Sequence, residues 1–288
     1  MSEILPQGVV AADAGGFNKK LARLKEGGSK NLHIVADFDM TLTAGTSADP
    51  NIRNSSWGAL QSTILHPKWF TVAYEKLFET YSPVASGEVL SSAEKDRLLH
   101  EWYAKTVELV MQRGLKKADI IESARSGIIE PRKGLKEFFE IARRGSVPIV
   151  VFSAGLGDFI EEYLKFLDAY SDNVHIVSNF YTFDSSGLVV GQASNTVHSL
   201  NKNETHADYD VHAIAKGRTD VLLLGDFEFD IHMADGERHN RILSMGFLNG
   251  KHEYIEKFKN IFDAVIVEDV GLDFPISILK EIESATVS

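Results

Sequence analysis

The sequence predicts an α/β fold in which a doubly wound, Rossmann-like parallel sheet carries an inserted block of helices. Three observations support this prediction. From residue 130 onward, short apolar runs alternate with stretches of helical periodicity, as in repeated β-α-β units. Several runs stop abruptly at Asp, Ser or Gly, which is typical of buried parallel strands whose carboxyl ends carry a site. Residues 46–126, the helical block, separate the first run from the others.

The elements before residue 127 follow in order. Residues 1–30 are punctuated by Gly and Lys, with one helix predicted near Phe17 to Lys25. The first strand is the run from His33 to Ala36, and residues 44–56 have the composition of a loop. Helices are then predicted for three segments that space apolar residues by three and four, the second of which ends at Gly114: 69–81, 93–114 and 115–126.

Strands and helices alternate from Glu130 to the C-terminus, and the SSG at 185–187 predicts the tip of a β-hairpin. There is no internal repeat. We therefore expect a core made of residues 1–45 and 127–288. The helical block is either a cap over the carboxyl ends of the strands, which excludes water and selects the leaving group, or a plain layer packed on the core.

An Asp-x-Asp motif directly follows the first strand. On an extended chain Asp37 and Asp39 point to the same side, so two carboxylates crowd one spot. Such crowding is costly unless a cation lies between them or one side chain is turned away. A helix N-cap or turn explains one of these residues but not both. The motif therefore favours a Mg²⁺-dependent nucleophile, with Thr41 and Thr43 following it.

Another apolar run, residues 147–152, ends in Ser153, Ala154 and Gly155 and is followed by a helix-like segment. A hydroxyl and backbone N–H groups at a strand-to-helix turn form a cradle for an anion. Taken alone, the serine is equally explained as an N-cap and the glycine as a turn residue. The segment predicts a phosphate-binding loop only in combination with the other motifs.

Two further motifs complete the series. Lys202, in HSLNKNE, is the candidate phosphate-binding cation, although a lone lysine usually lies at the surface. Asp226 and Asp230 follow the run at 219–225, where acidic residues also favour the start of a helix. The order Asp-x-Asp, Ser, Lys, Gly-Asp-x-x-x-Asp is more specific than any one of these signals.

Composition limits the class of protein. The 288 residues can form one large domain or two, and 41 acidic against 30 basic residues give a formal charge of −11. This balance argues against a nucleic-acid-binding protein, but a metal and one lysine can still attract a small anion. Without cysteine, disulfides and thiolate chemistry are excluded. No apolar stretch reaches about 18 residues and no signal peptide is recognisable, so we expect a cytoplasmic protein without a membrane partner.

The motif order resembles that of the haloacid dehalogenase superfamily of phosphoryl-transfer enzymes. Further segments resemble the cytosolic type III pyrimidine 5′-nucleotidases, a group that includes 7-methylguanosine-phosphate nucleotidases. The resemblance extends from about residue 30 to about residue 282, and these segments carry it: DFDMTLT, EWYAKT, FSAGLGDFIEE, NVHIVSNFYTFDSSG, HSLNKNE and LLLGDFEFDIHMADG. It implies that the helical block is a cap, inserted at the position called C1.

The resemblance also implies roles. Asp37 would attack phosphorus to form an aspartyl-phosphate, while Asp39 would protonate the leaving oxygen and then activate water. Mg²⁺ would be held by the Asp37 side chain, the Asp39 carbonyl and Asp226. Asp230 would support Lys202 or the metal, and Thr41 would orient the nucleophile. The phosphoryl oxygens would be held by the phosphate-binding group of Ser153, the Ala154 and Gly155 amides, and Lys202.

The chain departs from the family where the substrate is selected. The position of the glutamate that reads the base in the family is Ala85 here, and Glu88 substitutes for it only in a different loop register. Thr106 stands where the family has a small polar residue near the base. Trp102 or Tyr103 is a candidate for stacking on the base, although helical spacing favours a core role for a tryptophan. Beside Asp226, aromatic and acidic residues replace small or polar ones: Phe227, Glu228 and Phe229.

The function expected from the resemblance is Mg²⁺-dependent hydrolysis of pyrimidine or 7-methylguanosine 5′-monophosphates to nucleoside and phosphate. Three alternatives stay open: a phosphatase for another small phosphate ester, a phosphotransferase to a nucleoside acceptor, and a catalytically dead binding protein. The expected partner is a small nucleotide rather than a nucleic-acid polymer, and the expected state is a monomer or weak dimer.

Overall fold

The computed structural model describes residues 5–84, 90–193, 196–206 and 209–287. The strands, numbered in chain order, are β1 Val9–Val10, β2 Leu32–Ala36, β3 Ile149–Leu156, β4 Val174–Asn179, β5 Tyr181–Phe183, β6 Val189–Gln192, β7 Asp220–Gly225, β8 Arg241–Phe247 and β9 Ala264–Ile266. The helices are α1 Ala14–Gly27, α2 Ser56–Thr63, α3 Lys68–Tyr81, α4 Ser92–Arg113, α5 Lys117–Ala124, α6 Leu135–Arg144, α7 Gly157–Phe166, α8 Tyr209–Gly217, α9 Ile255–Lys259 and α10 Asp273–Val287. Short 3₁₀ helices cover Ser82–Val84, Glu204–His206, Glu228–Ala234 and His252–Tyr254.

The main sheet has the order β1-β9-β8-β7-β2-β3-β4, and only β1 is antiparallel to its neighbour. The predicted doubly wound α/β fold is confirmed. Because β2 lies between β7 and β3, the carboxyl ends of three motif-bearing strands are adjacent at one edge of the sheet. This position is where open parallel sheets bind their ligands.

The sheet is covered by apolar side chains on both faces. Along β2, Ile34 and Ala36 belong to one buried cluster, whereas Val35 belongs to the other. Strand β7 alternates in the same way, with Leu222 and Leu223 on opposite faces. Successive side chains of a strand point to opposite faces, and both faces of this sheet are buried. The strands are therefore continuous apolar runs in the sequence rather than alternating apolar and polar residues.

Helices α2 to α5 form the helical block between β2 and α6. Helix α4 ends at Gly114, as the sequence predicts. Gly114 has a left-handed conformation, and a capping box at Ser91 and Glu94 starts the helix. The β5-β6 hairpin is also as predicted, and it binds the block: the Lys117 N–H donates to the Gly187 carbonyl at 2.9 Å, and the Val189 N–H to the Leu115 carbonyl at 2.9 Å. The hairpin and the block therefore form one continuous surface.

The N-terminal segment contains one strand that the sequence does not predict. β1 pairs with β9 through Val9–Ile266 and Val10–Val265. The following helix α1 packs against the C-terminal helix, where the rings of Phe17 and Phe274 lie 5.8 Å apart. Residues 5–30 are therefore part of the core. In the described ranges, no helix combines the length and the apolar character needed to cross a membrane.

Candidate active site

A cavity of about 630 Å³ opens between the carboxyl ends of the strands and the helical block. Its floor is formed by residues that follow β2 and β7 and by Ser153–Gly155 near the end of β3. Its wall is formed by side chains of α2, α3 and α4, and the residues that line it on this side include Trp57, Gln61, Tyr74, Glu75, Phe78, Glu79, Trp102 and Tyr103. The structure thus brings together, in one cavity, motifs that are up to 190 residues apart in the chain.

Asp37, Lys202 and Asp230 form a buried chain of charges on the floor. The Lys202 Nζ donates to Asp37 Oδ1, and also to Asp230 Oδ1 at 2.8 Å. The other Asp230 oxygen, Oδ2, accepts from the Asp226 and Phe227 N–H groups, each at 3.0 Å. Both oxygens of Asp230 are thus occupied, as expected of a residue that supports Lys202.

The charges of this chain depend on one another. Burial raises the pKa of Asp37 well above its usual range, against the attraction of Lys202 and in the same direction as the repulsion from Asp230 and Asp226. Burial alone would lower the pKa of Lys202, but Asp230 and Asp37 raise it. Lys202 is therefore a cation. The protonation state of Asp37 depends both on its burial and on its charged neighbours, Lys202, Asp230 and Asp226.

The donor set fits a divalent cation. One carboxylate oxygen from each of Asp37, Asp226 and Asp230 lies within 4.8 Å of the other two. Burial, followed by repulsion from Asp230, raises the pKa of Asp226 to about 7. Crowded carboxylates of this kind are relieved when a hard cation with oxygen ligands is shared between them.

The Asp39 side chain is turned away from Asp37 toward the helical block. Asp39 Oδ1 accepts from the Ser56 N–H at 2.8 Å, and Oδ2 accepts from the Ser56 hydroxyl at 3.2 Å. Burial raises the pKa of Asp39, opposed by the Ser56 hydrogen bonds and the charge of Arg53. The main cause of this rise is desolvation rather than repulsion from the neighbouring Asp37. Ser56 and Arg53 lie in or beside a loop without periodicity and gave no signal in the sequence.

The segment Ser153–Gly155 lies at a register shift near the end of β3. The Gly155 N–H donates to the Ser153 hydroxyl at 3.0 Å, and the Ala154 carbonyl accepts from Tyr103 at 2.6 Å and from Asn179 at 3.1 Å. A Cβ atom on Gly155 would lie 2.4 Å from Ser56 Oγ. The loop is therefore packed tightly between the helical block and β4.

The turn after Asp37 is held by a buried arginine that the sequence analysis did not identify. Arg132, 1% exposed, donates to the carbonyls of Met40 and Thr41, each at 2.6 Å, and to Asn249 Oδ1 at 2.8 Å. Met40 has a φ of 62°, which few residues other than glycine adopt. Fixing these carbonyls holds the turn that carries Asp37 and Asp39.

The two threonines of this turn differ in their contacts. Thr43 Oγ1 accepts from the Met40 N–H at 2.7 Å and donates to the Asn54 carbonyl at 3.0 Å, so it stabilises the turn. Thr41 Oγ1 is buried and has no hydrogen-bond partner among the described residues. A role for Thr41 in orienting the nucleophile therefore stays a prediction.

The residues predicted to contact the base divide into two groups. Trp102 and Thr106 line the cavity, with Trp102 stacked on Tyr81 at 6.4 Å between ring centroids. The Thr106 hydroxyl donates to the Trp102 carbonyl at 2.9 Å. Ala85 and Glu88 lie outside the described residues.

The aromatic residues beside Asp226 form a small patch at the cavity rim. The Phe227 and Phe229 rings are 5.4 Å apart, and Phe227 is 37% exposed and lines the cavity. Glu228 points outward and pairs with Lys257. The substitutions therefore leave Asp226 and Asp230 in place.

Comparisons with known proteins agree with this arrangement. The family model described as pyrimidine 5′-nucleotidase (UMPH-1) matches residues 40–283. The 7-methylguanosine phosphate-specific 5′-nucleotidase of Homo sapiens is 30% identical over 285 residues, which are 98% of this chain and 95% of the relative. The protein of the same name from Gallus gallus is 32% identical over 262 residues, which are 90% of each chain.

Solved structures give the same result. The crystal structure of cytosolic 5′-nucleotidase IIIB bound to cytidine matches with a TM-score of 0.87 and 28% identity, covering 98% of this chain and 96% of that chain. A substrate-bound phosphoserine phosphatase matches with a TM-score of 0.53 and 17% identity, covering 87% and 97%, and supports the fold alone. The first match includes the helical block, because nearly the whole chain is superposed.

Proposed function

The chain belongs to the pyrimidine 5′-nucleotidase (UMPH-1) family, and on this basis we propose that it hydrolyses pyrimidine or 7-methylguanosine 5′-monophosphates with Mg²⁺ through an aspartyl-phosphate. The family resemblance seen in the motifs is confirmed, as is the enzyme class, a 5′-nucleotidase acting on phosphomonoesters. The observation that carries the mechanism is the buried Asp37 held by Lys202 on the floor of a cavity closed by the helical block.

In the first step, an Asp37 oxygen forms a bond to phosphorus while the ester bond to the nucleoside oxygen breaks. Asp39 gives its proton to that leaving oxygen, and its burial favours the protonated form needed for this. In the second step, Asp39 takes a proton from water, the water oxygen attacks phosphorus, and phosphate leaves as the Asp37 carboxylate is restored.

Asp37, Asp226 and the Asp39 carbonyl would hold Mg²⁺, with Asp230 beside them. When bound, this cation would offset the repulsion between the nucleophile and the phosphate dianion. Ser153, the Ala154 and Gly155 amides and Lys202 would bind the phosphoryl oxygens, and Asp230 would orient Lys202.

The helical block would act as a cap that excludes water and contacts the nucleoside, with residues 1–45 and 127–288 as the catalytic core. Its aromatic wall, which includes Trp102 and Phe78, offers stacking surfaces for a base. Solved cytosolic 5′-nucleotidase IIIB is bound to cytidine, which supports a nucleoside in this cavity. We also propose a cytosolic location, since one relative from Caenorhabditis elegans is named a putative cytosolic 5′-nucleotidase, and a monomer or weak dimer.

The mechanism is tested with Asp37→Asn, which keeps the size of the side chain but removes its nucleophilic charge. We expect turnover to fall to the background while the circular dichroism spectrum and melting temperature stay native-like. Asp49→Asn, an exposed aspartate in the loop before α2, is the matched control and should keep full activity. Retention of more than a few per cent of activity by Asp37→Asn would rule out the covalent route.

The substrate is tested by phosphate release from UMP, CMP, 7-methyl-GMP, AMP, GMP, phosphoserine and sugar phosphates, with Mg²⁺ and with a chelator. Activity that depends on Mg²⁺ and is concentrated on pyrimidine or 7-methylguanosine monophosphates supports the proposal. Best turnover of phosphoserine or a sugar phosphate would instead identify a phosphatase for another small ester. New monophosphate formed from added nucleoside would reveal phosphotransfer.

A further inference from the structure

A second group of metal-binding side chains lies apart from Asp37, inside the core. His33, Glu204 and His239 offer one ligand atom each, and these atoms lie within 4.8 Å of one another. The side chains are 0%, 0% and 2% exposed. His33 is at the start of β2, Glu204 is two residues after Lys202, and His239 precedes β8.

The hydrogen bonds of His33 fix its tautomer. His33 Nδ1 lies 2.8 Å from the Arg218 carbonyl, which can only accept, so Nδ1 carries a proton. In a neutral ring the other nitrogen, Nε2, then presents a lone pair, and this atom faces Glu204 Oε1 at 3.1 Å. The lone pair of Nε2 and those of the carboxylate oxygen repel each other unless a proton or a cation lies between the two atoms. A ring nitrogen donating to a backbone carbonyl is also the usual outer contact of a metal-bound histidine.

The other two residues point to the same position. His239 Nε2 is 2.8 Å from Glu204 Oε2, and its Nδ1 is buried without a hydrogen-bond partner among the described residues. Each oxygen of the buried Glu204 side chain thus faces a ring nitrogen, Oε1 that of His33 and Oε2 that of His239. Two imidazoles and one carboxylate thus share a buried space.

The neighbouring arginine side chains do not place a positive charge between these three residues. The Arg218 guanidinium is directed to backbone carbonyls, those of Ser29, Leu32 and Ser146. Arg241 pairs with Asp220 Oδ2 at 2.9 Å, while Asp220 Oδ1 is buried and unpartnered within the described residues.

We propose that His33, Glu204 and His239 bind one divalent transition metal of the zinc type. Histidine nitrogen and carboxylate oxygen are zinc ligands, and bonds of about 2.0–2.1 Å in a tetrahedron separate ligand atoms by about 3.3 Å. The contacts of 3.1 and 2.8 Å are close to this spacing. The metal would join the Lys202 segment to the strand that carries Asp37.

The test measures metal content rather than turnover, so its result is independent of the proposed nucleotidase mechanism. The protein is incubated with ZnCl₂ in excess MgCl₂, passed through a desalting column in MgCl₂ buffer, and analysed for zinc by mass spectrometry. We expect about one zinc per chain in the unmodified protein and in Asp226→Asn, which removes a ligand of the other site. We expect at most about a tenth of that in His239→Gln and Glu204→Gln.

His252→Gln is the matched control, because His252 is 62% exposed and pairs with Glu268 at the surface. A measurement on the unmodified chain avoids any folding defect of the variants: CoCl₂ should give visible absorption bands of four-coordinate cobalt, and ZnCl₂ should raise its melting temperature. Failure of the unmodified protein to retain zinc would overturn the proposal in favour of a shared proton. Equal retention by His239→Gln would overturn it as well.

Discussion

Gly155 brings its backbone against the side chains that surround the phosphate position. A Cβ at this residue would lie 2.4 Å from Ser56 Oγ and 3.1 Å from both Asp39 Oδ2 and Ser153 Oγ. Gly155→Ala must therefore displace the group that holds Asp39. We expect kcat to fall by about 100-fold, because small misplacements in an active site have effects of that size. Steady-state kinetics on the best substrate measures this.

Gly217→Ala is a matched control for that substitution, since no atom lies within 4 Å of the added carbon. It should leave kcat unchanged and leave stability equal or slightly higher. Equal kcat values for both alanine variants would show that Asp39 is not positioned through this contact.

Arg132 holds the turn that carries Asp37 and Asp39. Lysine keeps the charge but lacks the planar set of donors that reaches Met40, Thr41 and Asn249 together. We expect Arg132→Lys to reduce the free energy of unfolding by about 3 kcal/mol and to lower kcat. Urea denaturation and kinetics give both values.

The control is Arg144→Lys, because Arg144 is 60% exposed and pairs with Glu283 at the surface. Arg144→Lys should reduce the free energy of unfolding by less than about 1 kcal/mol. If the two variants unfold at the same urea concentration, the buried network does not stabilise the turn.

The approach of Asp37 to Asp230 could be predicted from their positions after β2 and β7, because parallel strands bring their carboxyl ends to one edge. Lys202 follows no strand of the main sheet, and only the motif order and the family resemblance indicated its place beside them. Arg132 and Ser56 could not be predicted, because neither an arginine that bonds to distant carbonyls nor a helix-starting serine that bonds to the Asp39 side chain leaves a periodic pattern in the sequence. The orientation of the Asp39 side chain depends on its hydrogen bonds to Ser56, so it could not be predicted from the sequence either.

Among the elements, α4 of the helical block contacts the end of β3, in the segment proposed to bind phosphate. The Tyr103 hydroxyl donates to the Ala154 carbonyl at 2.6 Å. In Tyr103→Phe this carbonyl keeps only the Asn179 amide, so we expect a loss of about 1 kcal/mol in unfolding free energy and a change in kcat/KM of several fold. Urea titration and initial rates measure the two effects.

Tyr170→Phe provides the comparison, because Tyr170 is 39% exposed and distant from the block. Neither the free energy of unfolding nor kcat/KM should change in Tyr170→Phe. An unchanged kcat/KM in Tyr103→Phe would mean that this hydrogen bond does not couple the block to the loop.

Long elements with clear periodicity were predictable, and short ones were not. The apolar spacing and the terminal glycine predict α4, and the tip residues predict the hairpin. β1 has only two residues, too few to show a period, and it exists because β9 offers an unpaired edge. Pairing with a distant strand is a tertiary effect that local sequence does not encode.

At the scale of the whole molecule, β1 closes one edge of the sheet far from the cavity. Deletion of residues 1–11 removes its pairing with β9 and leaves the Asp13 cap of α1. We expect a loss of about 1–2 kcal/mol, which lowers the melting temperature by roughly 2–6 °C, and an unchanged KM. Differential scanning calorimetry and kinetics test this.

Deletion of residues 1–4 alone is the control, because it keeps β1 and its pairing with β9. A changed KM in the longer deletion would contradict the view that this edge serves stability only.

Ser56 has one further consequence, for recombination between relatives. It is the first residue of α2 and also supplies both hydrogen bonds to Asp39. A chimaera that takes its helical block from another family member therefore replaces the partner of Asp39 together with the nucleoside-facing wall. We expect a crossover after residue 56 to exchange the helical wall of the cavity, and with it the proposed contacts to the nucleoside, while the native Asp39 contact is kept. A crossover at residue 46 should exchange both.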